Sequence, residues 1–384
     1  MTPDILFAAG ALFALMTLHP FATYPASLWV AARLAPARPA HTPAPRGRRP
    51  RIAICCCAYN EAAVIRQKAE NLLALKERWP GARLHVYDDG SADATAAHLA
   101  DYADRIDVVT GPGRMGKSHG MNVLVERAGD ADILVFTDAN VHVDGAALDA
   151  LVRHFDDPSV GCVSGHLVYT NAGDSGTAAT GGLYWRFEEA LKRLESRVAS
   201  TLMADGSLFA LRRDLHRPVP PDLIDDMVLS LGVFADGWRV IQAEDAVAYE
   251  RTSTEAGEEF RRKVRIACQA VNAHRALRPR LGAMGAWRRY VYLSHKVLRW
   301  LVVYNAAAAA ALLALAAGLA WGPVVPLAVV AVATAAAGAL WRLRRSVFDK
   351  ASAIALAFLA VGVGVARSFA GERFVTWDQA ATAR

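Results

Sequence analysis

The chain has 384 residues, 54% of them hydrophobic and 21% charged, with a formal net charge of +6. That length predicts one to two domains, and the apolar excess argues against an ordinary soluble protein. The positive charge does not mark a nucleic-acid binder, because the Arg- and Pro-rich stretch before Arg51 has no interleaved aromatics for base stacking. Of five cysteines, three are consecutive at Cys55-Cys56-Cys57; neighbours in a strand face opposite ways and cannot share one tetrahedral metal. They read as small apolar fillers of a reduced cytoplasmic domain.

Residues from about Ile5 to Val30 carry no Lys, Arg, Asp or Glu and have no basic start, which predicts a transmembrane anchor over 1–32 rather than a cleaved signal. A basic, Pro-rich linker at 33–50 follows, with Arg33, Arg38, Arg46, Arg48 and Arg49 and no acid, suited to an anionic leaflet. Strand and helix then alternate through 51–295. Strands are expected at Ile52–Ala58, Leu84–Tyr87, Asp107–Thr110 and Ile133–Thr137. The helices between them run over 61–79, 93–102 and from the Gly111–Gly116 loop to Arg127, with another over 144–155. Such alternation means an α/β domain with a doubly wound, mostly parallel sheet. Beyond it, Tyr184, Phe187, Leu191, Leu194 and Val198 share one helical face, Ser207–Leu211 reads as a strand, Met227–Phe234 as a helix, and 258–274 as a long basic helix.

From Trp300 the chain is apolar again. Three spans are expected within 296–370, at Trp300–Trp321, Val324–Leu340 and Ala351–Ala366; the last, at about 16 residues, is short against the ~20 that cross a bilayer. Lysine and arginine bias puts the start outside, the central domain in the cytoplasm and the 371–384 tail outside, in a bacterial-type inner or plasma membrane.

Two apolar runs end in acids: Leu84–Tyr87 in Asp88-Asp89-Gly90-Ser91, and Ile133–Thr137 in Asp138-Ala139-Asn140. Ligands of open α/β sheets bind past the carboxyl ends of the strands, so paired acids there suggest a divalent metal and a charged substrate. Each motif alone is ordinary turn chemistry. Their company is more specific: Ala58-Tyr59-Asn60-Glu61 after the first strand, Gly116-Lys117-Ser118-His119-Gly120-Met121-Asn122 opening a helix, Ile224-Asp225-Asp226-Met227, and Arg261-Arg262-Lys263-Val264-Arg265-Ile266.

In that order the set resembles glycosyltransferase family 2, the inverting, nucleotide-sugar-dependent enzymes of the GT-A fold, and within it the membrane-anchored branch of cellulose, chitin and hyaluronan synthases. The resemblance implies that Asn60, Glu61, Asp89, Lys117, Asn122 and Asp138 bind the nucleotide-sugar. It implies that Asp138 and Asn140, matching Asp-x-Asp, hold Mg²⁺ or Mn²⁺. Asp226 matches the general base, and Arg262 and Arg265 match the Gln and Arg of Gln-x-x-Arg-Trp. On the acceptor side the expected residues are Asp205 and Gly206 of Ala204-Asp205-Gly206-Ser207, with Asp225 and Trp185. The Trp of Gln-x-x-Arg-Trp is here Ile266, which sets long-chain extension in question. His119, His142 and His166 read as structural or solvated. The expected partners are a UDP-linked nucleotide-sugar donor, a glycan or lipid-linked acceptor, the lipid bilayer and polysaccharide export proteins. The competing expectations are single-sugar transfer to a polyprenyl phosphate, a catalytically silent regulatory membrane protein, and, least, a transporter.

Overall fold

A computed structural model describes residues 2–34, 49–171, 176–251 and 255–376; most of the expected basic linker (35–48) and the last part of the tail (377–384) lie outside the described residues. The chain begins with α1 (Pro3–Leu18) and α2 (Thr23–Leu34), bent by 61° where one span was expected. Pro20 sits in the break and, lacking an N–H, cannot continue a helical ladder. The ring of His19 pins the bend, 2.7 Å from Thr23 Oγ1 and 2.8 Å from Ser294 Oγ. Beyond it α2 turns onto the domain, burying Tyr24 and Leu28 completely.

The domain follows as β1 (Ile52–Ala58), α3 (Ile65–Arg78), β2 (Arg83–Asp88), α4 (Thr95–Ala100), β3 (Asp107–Thr110), α5 (Lys117–Arg127) and β4 (Ile133–Asp138). Next come β5 (His142–Val143), α6 (Ala147–Val152), β6 (Val160–Tyr169), α7 (Gly176–Val198), β7 (Leu208–Arg212), α8 (Asp225–Ala235), β8 (Arg239–Glu250), α9 (Ala256–Gly282) and α10 (Ala286–Tyr292). One eight-stranded sheet has the order β3-β2-β1-β4-β7-β6-β8-β5. Its first half is the expected parallel, doubly wound unit. The second half mixes directions: β7 runs antiparallel to β4 and β6, β6 parallel to β8, and β5 antiparallel to β8.

Both faces of the sheet are covered, as parallel strands require. Along β1, Ile52, Ile54 and Cys56 enter the core with Leu72, Val86 and Leu151, while Ala53 and Cys55 enter the other with Leu124, Phe136 and Phe209. The consecutive cysteines thus point alternately into two cores, and all five are free thiols.

A π-helical turn, Leu293–Val297, leads through α11 (Leu298–Trp300) into α12 (Val302–Trp321), α13 (Val324–Leu343) and α14 (Arg345–Phe369). Three helices here are long and apolar enough to cross a membrane, or four spans if the bent N-terminal pair counts as one. The rings of Phe7 and Trp321 pack 5.4 Å apart, and Gly10 faces Leu313, so α1 and α12 run antiparallel. The tail corrects the sequence expectation. Near its C-terminal end α14 packs on α9, with Arg275 donating to Ser368 O at 2.9 Å, and the chain continues along α9. There Asn272 donates to Glu372 O and Gln269 to Phe374 O, both at 3.0 Å. Tyr304, at the start of α12, donates to Gly362 O at 2.8 Å. The start of α12 and the end of α14 thus both meet the domain, and Glu372 and Phe374 lie against α9, where the sequence expectation put the tail across a bilayer from it.

Candidate active site

The carboxyl ends of β1, β2 and β4, the start of α5, the β7 and α8 approaches, the end of β8 and one face of α9 surround a cavity of about 700 Å³. Ten of the sequence-predicted residues line it: Asp89, Lys117, Asp138, Asn140, Asp205, Gly206, Asp225, Asp226, Arg262 and Arg265. They come from segments up to 176 residues apart, brought together because the sheet order puts the ends of β2, β1 and β4 side by side.

Asp89 is buried and accepts the N–H groups of Met115 at 2.8 Å and Gly116 at 2.9 Å, closing the loop that launches α5. Lys117, the first residue of α5, reaches across the crevice to Asp138 Oδ1 at 2.7 Å and Asp225 Oδ2 at 3.4 Å. Burial alone would lower its pKa; the charges of Asp138, Asp225 and Asp226 outweigh it and hold the ammonium well above its ordinary value. Asp226 sits in the first turn of α8, its Oδ1 accepting the Met227 N–H at 2.6 Å. Burial first, and the neighbouring Asp225 charge second, push its carboxyl up to about 7. A Cβ on Gly206 would come 2.9 Å from Asp226 Oδ2, so glycine keeps that carboxylate clear.

Across the cavity Arg262 and Arg265 project from one face of α9. Arg262 stays firmly charged despite burial because Glu259, Tyr169, Glu250 and Asp205 surround it. Burial and the Arg262 charge bring Arg265 down to about 10. Ile266 takes part in the wall where the resembling motif carries Trp.

Four expected residues lie off the wall. Asn60, with φ of +54°, clips the β1 loop to the β2 loop by accepting the Ala92 N–H at 2.8 Å. Glu61 is fully buried and its N–H bonds Thr95 Oγ1. The Asn122 side chain makes a two-way bond with the Val219 backbone. Trp185 donates to Leu167 O at 2.9 Å and packs edge-on against Tyr169. His166 pairs with Glu189 at 2.6 Å, away from the cavity wall.

The wall also holds residues not singled out in the sequence. Arg114 stacks 4.0 Å over the Tyr59 ring at the β1 end. Phe374 and Thr376 bring the tail to the cavity. Glu250, the last residue of β8, accepts Asn140 Nδ2 at 3.0 Å, and burial raises its carboxyl to about 7 against the opposing charge of Arg262. Glu250 is another acid at a strand end, so the sign that flags Asp89 and Asp138 would have flagged it had β8 been recognised.

The donor set suits a hard divalent cation: Asp138 offers a carboxylate and Asn140 an amide carbonyl, and both residues line the cavity. Among the described residues no group of three His, Cys, Asp or Glu side chains is arranged to hold a metal. Substrate phosphates and water would therefore complete the shell, as is usual for Mg²⁺.

Residues 53–219 match the model of glycosyl transferase family 2. The chain is 23% identical over 235 residues to an N-acetylglucosaminyltransferase of Rhizobium sp. (strain N33), covering 57% of this chain and 52% of that protein. It is 27% identical over 179 residues to the hyaluronan synthase of Streptococcus pyogenes, covering 42% of each. The chain thus spans about half the length of these relatives. Among solved structures, the mannosyltransferase PcManGT from Pyrobaculum calidifontis, in complex with GDP-Man and Mn²⁺, superposes with a TM-score of 0.69 at 22% identity, over 95% of this chain and 99% of that one. That likeness shows the GT-A fold.

Proposed function

Since the chain carries a glycosyl transferase family 2 domain on the GT-A fold, we propose that it transfers a sugar from a nucleoside-diphosphate donor onto a glycan or lipid-linked acceptor at a membrane, with inversion at the anomeric carbon. The observation that carries this is the opposition, across one cavity, of the Lys117–Asp138–Asp225 cluster and Asp226 to the guanidinium groups of Arg262 and Arg265.

In this reading Asp226 is the base. It takes the acceptor hydroxyl proton as that oxygen bonds to the anomeric carbon and the sugar–phosphate bond breaks. Its raised pKa keeps it close to neutral pH, where proton transfer is most effective. Arg262 and Arg265 offer planar forks to phosphate oxygens, and Lys117 adds a fixed positive charge beside Asp138. A bound Mg²⁺ or Mn²⁺, held by Asp138 and Asn140, would neutralise charge gathering on the departing diphosphate. The proposed donor is UDP-linked. The apolar helices would hold the domain at the cytoplasmic face, next to a membrane-borne acceptor.

A second reading, single-sugar transfer to a polyprenyl phosphate, draws on Ile266, because an aliphatic side chain gives a growing glycan no aromatic platform. Incubating the purified full chain with a panel of UDP- and GDP-sugars plus Mn²⁺ tests the proposal. Release of nucleotide from one donor, lost in D226N, is expected; no release from any donor would sink it. Product size separates the readings, as an oligosaccharide ladder or a single lipid-linked sugar.

A further inference from the structure

The Asp138-Ala139-Asn140 motif carries one negative charge, and Asn140 cannot supply a second. The sheet brings one to it. β5 begins two residues after Asn140 and pairs antiparallel with the end of β8, His142 opposite Tyr249, which places Asn140 beside Glu250 although 110 residues separate them. The contact is a 3.0 Å hydrogen bond from Asn140 Nδ2 to Glu250 Oε1. Glu250 also lines the cavity with Asp138 and Asn140.

We propose that Glu250 supplies the carboxylate that the motif lacks, acting as a positioning residue for the cation at the donor site through Asn140. An ionised carboxylate only accepts hydrogen bonds, so it binds the amide nitrogen and fixes which way the Asn140 side chain is turned. The carbonyl oxygen is then the atom that Asn140 can offer a hard cation. The carboxylate also polarises the amide, placing more negative charge on that oxygen. Asp138 is partly neutralised by Lys117 at 2.7 Å, which makes the added negative charge of Glu250 count for more at this end of the cavity. Asn140 and Glu250 thus form a split acid, contributed by two strands instead of one tripeptide.

The inference rests on the donor-site reading above, and Mn²⁺ binding tests the two separately without turnover. Free Mn²⁺ is followed by electron paramagnetic resonance with the purified full chain, in the presence of UDP and, in parallel, GDP. If the wild-type chain takes up no Mn²⁺ with either nucleotide, the donor-site reading fails. Given wild-type binding, E250Q is expected to weaken Mn²⁺ about tenfold or more, because a neutral amide can turn the Asn140 side chain over. N140D in the E250Q background should restore affinity to within about threefold of wild type. Equal Mn²⁺ affinity of wild type and E250Q overturns the inference, and so does failure of N140D to rescue. Should E250Q not fold, N140L, which removes the carbonyl, must weaken Mn²⁺ to the same degree, and unchanged affinity there is equally fatal.

Discussion

If Asp226 is the base, the acid side of the pH–rate profile must report its unusual environment. Its carboxyl lies at about 7 against an ordinary 3.8, with burial as the first cause and Asp225 as the second. A shift of about three units corresponds to roughly 4 kcal/mol of preference for the protonated form in the fold. The active, ionised form is lost as pH falls through about 7. At pH 5 roughly 1% of the base remains ionised, and kcat/KM should drop about a hundredfold, whereas a carboxyl at its ordinary value would lose less than about a tenth. The assay is nucleotide release from the accepted donor with saturating Mn²⁺, between pH 5 and 9, with a melting curve at each pH to show that the chain stays folded. Glu250 also lies at about 7, so E250Q must keep the acidic limb even if its plateau falls. Replacing Asp225 by Asn should move the limb to lower pH by roughly one unit, since a neighbouring like charge is removed. A profile flat from pH 5 to 7 would refute the assignment of Asp226. The same linkage sets a stability effect. The raised pKa makes a contribution that is fully present below about pH 4 and lost as pH rises through about 7. D226N should therefore melt at higher temperature than wild type at pH 8 while abolishing transfer.

Lys117→Met removes the partner of two acids and leaves Asp225 buried beside Asp138; UDP–Mn²⁺ affinity, read by calorimetry, should fall at least tenfold, with roughly 3–5 kcal/mol of stability lost. Buried Lys68 donates to Thr137 Oγ1 at 2.9 Å and Val141 O at 2.7 Å, bracketing Asp138–Asn140. K68M should cost on the order of 1–3 kcal/mol in thermal unfolding through the unsatisfied acceptors. His295 bridges Glu188 and Glu195 at 2.6 Å each, joining α7 to the π-turn ahead of α12. H295L leaves Glu188 to Arg299 and Glu195 to the Tyr24 and Thr201 hydroxyls and should lower stability by roughly 1–3 kcal/mol through the two lost hydrogen bonds; an unchanged melting temperature would show that this joint does not stabilise the fold. A Cβ on Gly364 would collide with the Val264 carbonyl and Ala267, so G364A should lift α14 from α9, seen as faster proteolysis of the tail.

Much of the catalytic half was legible because its signals are local. Apolar runs of strand length, the turn residues after them and the helix that each loop opens are set by neighbouring residues. The expected limits of β1 and β3 match the structure; β2 is one residue longer at each end and β4 one residue longer at its C-terminal end. Acids at strand ends could be aimed at a crevice from sequence alone, because parallel strands present their carboxyl ends on one edge of the sheet. Residue types also set the apolar helices, for charge-free runs of Ala, Leu and Val leave little else to bury them.

Only the tertiary structure decided the rest, and in each case a long-range contact overrides a local preference. The expected single N-terminal span bends because α2 gains more by burying Tyr24 and Leu28 on the domain. The tail returns to the domain because the carbonyls of Glu372 and Phe374 find donors on α9. β6 and β8 draw their pairing from each other across some eighty residues, a partnership invisible to a window of local sequence. That pairing, and β5 on the far edge of β8, set Glu250 beside Asn140. Asp89 and Asp138 could be read from the sequence by itself, because each follows its own strand; the Asn140–Glu250 contact comes from the fold, because its partners lie on strands far apart in the chain.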